Sequence, residues 1–589
     1  MRRLGGVWRG ALGLLIVMGL LGALLGLTPA QIAAATPTVV IPTAGTPATA
    51  TPAAGGALPH FEPGACAYPP APEVAQAVRC GTVVVPESHA HPNGKTIRLP
   101  VLVYRAANPN PAPEPIVLLS GGPGQSGAVF VSYLTGPRYA ALAAHNDLIV
   151  FDQRGTGKAQ PNLNCMEVQG SGTRADDARL KALAAPTFTD LMLQCRDRLE
   201  KSGVDLGTYT TTENAADVND IRAALGYAKM NLYGASYGSE LGLAIARDFP
   251  QYVRASALGS IVPLQTPFFA EQAVNFDRAL TELFATCAAD AHCNATYPDL
   301  KGTFQRAVAT FDANPLIVPL KNPQNGQTVN FPMTGRTYAV LVFQLLYTTD
   351  LLAYMPDIIT QAANGNTTLL AVLLSSALGE GGLAYGMHFS ITCTHSTSDA
   401  RKQAMLAAEQ QILPEAREAL EQTELLYFAV CPQWPSQGAD PNADQPAASS
   451  VPTLLVSGQF DPITPPAYAR QAASALPHSF VVDLPDAGHS ATFALGPVGQ
   501  CGQQVVLTFL AHPDQGPDQA CLGQLPPFQF TTLPAELTGP AATPTPRMPG
   551  LPNTGAGGKQ QSADLPLALV LGALALLFGG LAWRRALRR

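Results

Sequence analysis

At 589 residues, with 13% of them charged and a formal net charge of −7, the chain is too long for one simple core and carries no basic footprint for nucleic acid. No nucleic-acid partner is expected. Ten cysteines, taken in order along the chain, suggest local disulfides Cys66–Cys80, Cys165–Cys195, Cys287–Cys293, Cys393–Cys431 and Cys501–Cys521, which belong to an oxidising compartment. No Cys/His grouping has zinc-site spacing, so neither a metal nor a cofactor is expected.

Residues 1–35 place Arg2, Arg3 and Arg9 ahead of an apolar run, Gly10 to Leu27, and then small residues. That is the layout of a secretory signal, for which signal peptidase would be the processing partner; an uncleaved anchor is the alternative, and either exports the chain. Residues 36–59 are almost all Thr, Pro, Ala, Gly and Val, too poor in large apolar groups to fold, and read as a spacer.

Folded sequence begins near residue 60. The alternation in TIRLPVLVYRA from Thr96 predicts a strand with one exposed face, toward the edge of a sheet. The runs PIVLLSGG (115–122), DLIVFDQRG (147–155) and MNLYGAS (230–236) are continuously apolar, as central parallel strands buried on both faces should be. Thr210 and Glu213 offer a capping box ahead of Val218, Ile221 and Leu225 on one helical face, and ASALGSIVP (255–263) adds a further strand. Strands alternating with helices predict a mostly parallel, doubly wound α/β sheet over 60–263. From 264 to 448 the pattern turns mostly helical, and strands resume at VPTLLVSGQFDP (451–462) and SFVVDLPDAGH (479–489), so that 449–533 completes the same sheet. A helical insertion placed there would lie over the strand ends as a lid.

Ligands of open α/β sheets bind beyond the carboxyl ends of the strands. Here those ends carry Gly121-Gly-Pro-Gly124, Asp152-Gln-Arg-Gly155, Ser236, Asp461 and His489. Gly234-Ala-Ser236-Tyr-Gly238 fits a sharp strand-to-helix turn that lifts a serine hydroxyl clear of the sheet, and Ser, Asp, His is the order this architecture requires of a triad. Ser236 needs a base, which neutral His489 supplies, and Asp461 would fix the tautomer and stabilise the imidazolium. Asp483 and Asp486 are rival acids. Asp152 and Arg154 read as a buried ion pair, and His512 and the remaining histidines as surface residues.

GGPGQSG, FDQRGTG, GASYG, GQFDP and GHS, in that order, resemble the α/β-hydrolase peptidases of the prolyl aminopeptidase and tripeptidyl aminopeptidase type, over about Ala71 to Leu525 and including a tripeptidyl-aminopeptidase-like C-terminal region. The resemblance implies an α/β-hydrolase fold with a helical lid, Ser236 as nucleophile, Asp461 and His489 as partners, and the N–H groups of Gly122 and Tyr237 as the oxyanion hole. It also implies a lid carboxylate for the substrate's ammonium. Where related chains carry that acid, this one reads ITCTHSTSD with His395 and Ser396, which leaves Glu271, Glu282, Glu380 and Asp399 as candidates.

Beyond a Pro- and Gly-rich stalk (534–564) come an apolar stretch at 565–583 and basic residues at 584–589. Within the stalk, Leu551-Pro-Asn-Thr-Gly555 resembles a cell-wall sorting signal, which a sortase would cut between Thr554 and Gly555; a plain membrane anchor is the alternative. Together these readings describe an extracellular, surface-anchored serine hydrolase acting on small peptide substrates. The most expected activity is an aminopeptidase; a carboxylesterase on the same triad and a catalytically dead peptide-binding protein are the rivals.

Overall fold

The computed structural model describes residues 57–131, 134–169, 187–321, 328–378 and 383–534. The expected signal, most of the spacer, the stalk with its sorting motif, the C-terminal apolar stretch and Glu380 lie outside the described residues. Among the described residues no helix is long and apolar enough to cross a membrane.

One sheet of nine strands organises the molecule: β1 (His60–Pro63), β2 (Val78–Pro86), β3 (Thr96–Tyr104), β4 (Ile116–Leu119), β5 (Leu148–Phe151), β6 (Met230–Ser236), β7 (Val253–Ile261), β10 (Thr453–Gly458) and β11 (Ser479–Leu484). Their spatial order is β1-β2-β3-β5-β4-β6-β7-β10-β11, parallel throughout from β5 to β11 and antiparallel across β1, β2, β3 and β5. The continuous apolar runs have the cause expected of them. Along β4, Val117 and Leu119 pack into one core with Leu232, while Ile116 and Leu118 pack into the core on the opposite face with Tyr233. Helices α1 (Thr211–Ala224) and α2 (Tyr237–Asp248) cover the first face, and the helix Pro497–Ala511 covers the second through Val505 and Phe509. Each such buried side chain contributes roughly 1.5–3 kcal/mol.

The strand from Thr96 stands third from its end of the sheet, because β2 and the four-residue β1 extend the sheet beyond it. Between β7 and β10 lies a largely helical insertion, which includes α3 (Gln272–Ala289) and α4 (Pro414–Val430). It also holds a hairpin, β8 (Leu316–Lys321) with β9 (Thr328–Met333), that the helical reading does not anticipate. The insertion has its own core around Phe276, Leu280, Phe304, Tyr338 and Phe343, completed from outside by Phe460, Phe530 and Leu533. The chain segment at 531–533 is strapped to it: Thr531 N–H donates to Ala353 O at 2.9 Å and Leu533 N–H to Asp357 Oδ2 at 2.8 Å.

All five local cysteine pairs are bonded, and no described cysteine is free.

Candidate active site

Ser236 ends β6 and caps α2 with φ 59° and ψ −132°, a sparsely populated conformation for a residue with a side chain. Close packing around it enforces that turn. A Cβ on Gly238 would come within 2.3 Å of Leu119 O, and one on Gly234 within 2.7 Å of Gly238 O, so strand and helix pass in backbone contact. The result is a partly buried serine between buried Ala235 and Tyr237. Gly121 lies against it, since a Cβ there would stand 3.4 Å from Ser236 Cβ, and Gly122 follows with φ 111°. Tyr237 opens α2, where an N–H has no intrahelical acceptor and the helix dipole is positive. Gly121 and Tyr237 are thus the backbone neighbours of the serine, with Gly122 next in the loop.

His489 Nδ1 lies 2.8 Å from Asp461 Oδ2, both groups being buried. Asp461 Oδ2 also accepts the hydroxyls of Thr464 at 2.6 Å and Ser260 at 2.9 Å, while Oδ1 accepts the N–H groups of Ile463 at 3.0 Å and Thr464 at 2.8 Å. Burial pushes this carboxyl up, but the positive charge and hydrogen bond of His489, with the Thr464 donors, outweigh it and hold it below the usual range. A carboxylate so placed accepts the Nδ1–H hydrogen bond, fixes the ring orientation and leaves Nε2 free to act as a base. Asp483 instead accepts Ser457 and Arg470, and the carboxylate bonded to His489 Nδ1 is that of Asp461 rather than Asp486.

Contacts from the insertion surround these groups. Ala384 N–H donates to Gly124 O at 3.0 Å, the Tyr347 ring centroid stands 4.8 Å from that of His489, and Gly488 N–H donates to Thr349 Oγ1 at 3.0 Å. His388 Nδ1 lies 3.1 Å from Pro123 O, so it donates there, and Nε2 accepts from Tyr427 Oη at 2.9 Å. Burial lowers the His388 pKa to about 4, with the Pro123 carbonyl opposing, and the ring is neutral.

Several expectations need correction. Arg154 forms no pair with Asp152; it grips Asp217 bidentately at 2.7 Å, whereas Asp152 accepts Tyr68, Ser126, and the N–H groups of Gly127 and Lys158. The turn after β5 sends the two side chains to different neighbours. His388 and His395 are buried rather than superficial. His395 holds Asp444 at 2.9 Å, and the same carboxylate accepts the Ser396 N–H at 3.3 Å and lies 3.5 Å from Arg401. Glu271 accepts Tyr468 Oη, Glu282 accepts Gln459 Nε2 at 2.7 Å, and Asp399 opens the helix Asp399–Glu409.

The sequence reading misses a buried pair in the insertion, Glu409 and Glu424. Glu424 Oε1 accepts Ala273 N–H at 3.1 Å, and its carboxyl is hydrogen-bonded to that of Glu409. Burial and the neighbouring Glu409 raise the Glu424 carboxyl well above its ordinary pKa. Glu424 lies one turn before Tyr427, which reaches the glycine-rich loop through His388. Cys165, Glu167 and Cys195 cluster within 4.8 Å, but both sulfurs are spent in a disulfide and offer no thiolate to a metal.

Residues 114–493 match the model of the alpha/beta hydrolase fold family. The chain belongs to that family and is an enzyme of the serine hydrolase class. It is 28% identical over 428 residues to serine protease Hip1 of Mycobacterium tuberculosis, covering 66% of this chain and 76% of the relative. Over 200 residues it is 34% identical to tripeptidyl aminopeptidase of Streptomyces lividans, 31% of this chain and 35% of that one. Among solved structures, the proline iminopeptidase of Mycobacterium smegmatis matches at 15% identity and a TM-score of 0.34, covering 74% of this chain and 99% of that chain.

Proposed function

We propose that the protein is an exported serine aminopeptidase that releases residues or short peptides from peptide N-termini through an acyl-enzyme. The observation that carries the reading is the His489–Asp461 contact at 2.8 Å, standing with a strained Ser236 at the strand ends. In this mechanism His489 Nε2 takes the Ser236 proton as Oγ attacks the scissile carbonyl, and the N–H groups of Gly122 and Tyr237 receive the developing oxyanion. His489 then passes the proton to the leaving amine, and water, activated by the same ring, frees the acyl group. The names of the Hip1 and Streptomyces relatives point the same way.

Five disulfides support an oxidising, extracellular setting, with cell-wall linkage through Thr554 or a membrane anchor as the tether. The test is a panel of a tripeptidyl or aminoacyl anilide, its N-acetylated form and a short-chain nitrophenyl ester. Acetylation should lower kcat/KM by roughly ten- to a thousandfold, as expected when a charged hydrogen bond is lost. Equal rates on free and acetylated peptides would remove the aminopeptidase reading, and faster turnover of the ester than of any peptide would favour a carboxylesterase.

A further inference from the structure

Arg278 lies on α3, in the insertion, yet its guanidinium reaches the turn that carries Asp461. Nη1 donates to Gln459 O at 2.8 Å and Nη2 to Asp461 O at 2.6 Å, so one rigid fork spans the backbone on both sides of Phe460. Glu282, one helical turn further along α3, accepts the Gln459 amide at 2.7 Å, and the other end of that amide accepts Asp486 N–H at 3.1 Å. Asp486 leads directly into His489. Two side chains of one lid helix therefore fix the acid-bearing turn and, through Gln459, the turn that presents the base.

The arrangement is costly unless it serves the site. Burial opposes the Arg278 charge, and its Nε is buried without a partner. Simpler packing could close the lid onto Phe460, which already sits in the lid core. We propose that Arg278 is a positioning residue: the lid acts as a brace that holds Asp461 and His489 in register, with Glu282 and Gln459 as the second strut. The proposal rests on the triad reading above. It also gives the lid a role in the chemical step that is separate from enclosing substrate.

The experiment compares R278K, which keeps the charge but loses the fork, and R278Q with wild type and with D461N. Readouts are kcat and KM on the anilide substrate, the acid limb of the kcat/KM–pH profile, and the rate of Ser236 phosphonylation by a fluorophosphonate. A brace predicts that R278K lowers kcat about ten- to a hundredfold, the cost of a displacement near 1 Å, with KM within about threefold and phosphonylation slowed in proportion. The acid limb should move to lower pH, because a displaced Asp461 stabilises the imidazolium less. Wild-type kcat and acid limb in folded R278K and R278Q would overturn the proposal, as would a lowered melting temperature with kcat unchanged. Should R278Q fail to fold, E282A cuts the second strut from a part-exposed position and must show the same kcat loss; wild-type kinetics there overturn the brace. An active D461N would instead remove the triad reading, whereas an inactive D461N beside an unaffected R278K removes the brace alone.

Discussion

Ser260 and Asp461 meet at 2.9 Å across 201 residues of sequence, the hydroxyl of Ser260 donating to the carboxylate that holds His489. The same hydroxyl accepts the N–H of Ser490 at 2.7 Å, so one small side chain ties the acid to the residue following the base. Ser260 reaches this position with φ 48° at the end of β7. S260A and T464V should each lower kcat by roughly ten- to 150-fold with little change in KM, the loss of one hydrogen bond to a charged group. Both effects should be smaller than that of D461N in the same assay.

S236A and H489A should each remove nearly all turnover, and making both together should cost little more, because members of a triad act as a unit. D461N should come close to them by letting the imidazole take the wrong tautomer. Single-turnover rates on a nitrophenyl ester measure this. An active D461N paired with an inactive D486N would move the acid to Asp486.

His388 supplies a pH dependence whose sign is fixed. Its folded pKa, about 4, lies below the unfolded value near 6.5, so between these values the unfolded chain binds more protons and stability rises with pH. The neutral ring is fully tolerated above pH ~6.5, and up to about 3 kcal/mol is lost as pH falls toward 4. H388Q removes the titration. Melting curves of wild type and H388Q from pH 4 to 7 should converge or cross as acid is added; a difference independent of pH would contradict the assignment.

Among the disulfides, Cys393–Cys431 closes the longest span, 38 residues, and Cys287–Cys293 the shortest, 6. In the chain-entropy account the first contributes about 4 kcal/mol and the second about 2 kcal/mol. Urea midpoints of C393A/C431A and C287A/C293A proteins should fall in that order.

Much of the core was legible because burial on both faces leaves an unmistakable run of apolar residues, as in Ile116–Leu119 and Leu148–Phe151. The turn at Ser236 was legible for a steric reason, since only residues without side chains fit at 234 and 238. Short edges were not: HFEP is four residues long, and LIVPLK carries a proline that reads as a break. Partner choice was also hidden. Whether Arg154 meets Asp152 or Asp217 depends on how a turn aims each side chain, which no spacing encodes. Ser260 was hidden as well: it lies one residue before the end of β7, and a lone serine gives no signal beside the glycines and carboxylates.

The segment Phe528–Leu533 has a consequence for anyone building variants of this enzyme. Phe530 and Leu533 fill the insertion's core, and the backbone there bonds to Ala353 and Asp357. A reporter or affinity handle spliced in at residue 526 would therefore strip a wall from the lid, although the sheet ends well before it. Fusions should begin after Leu533, and a shortened enzyme that stops at 525 should bind hydrophobic dyes and lose its cover over Phe460.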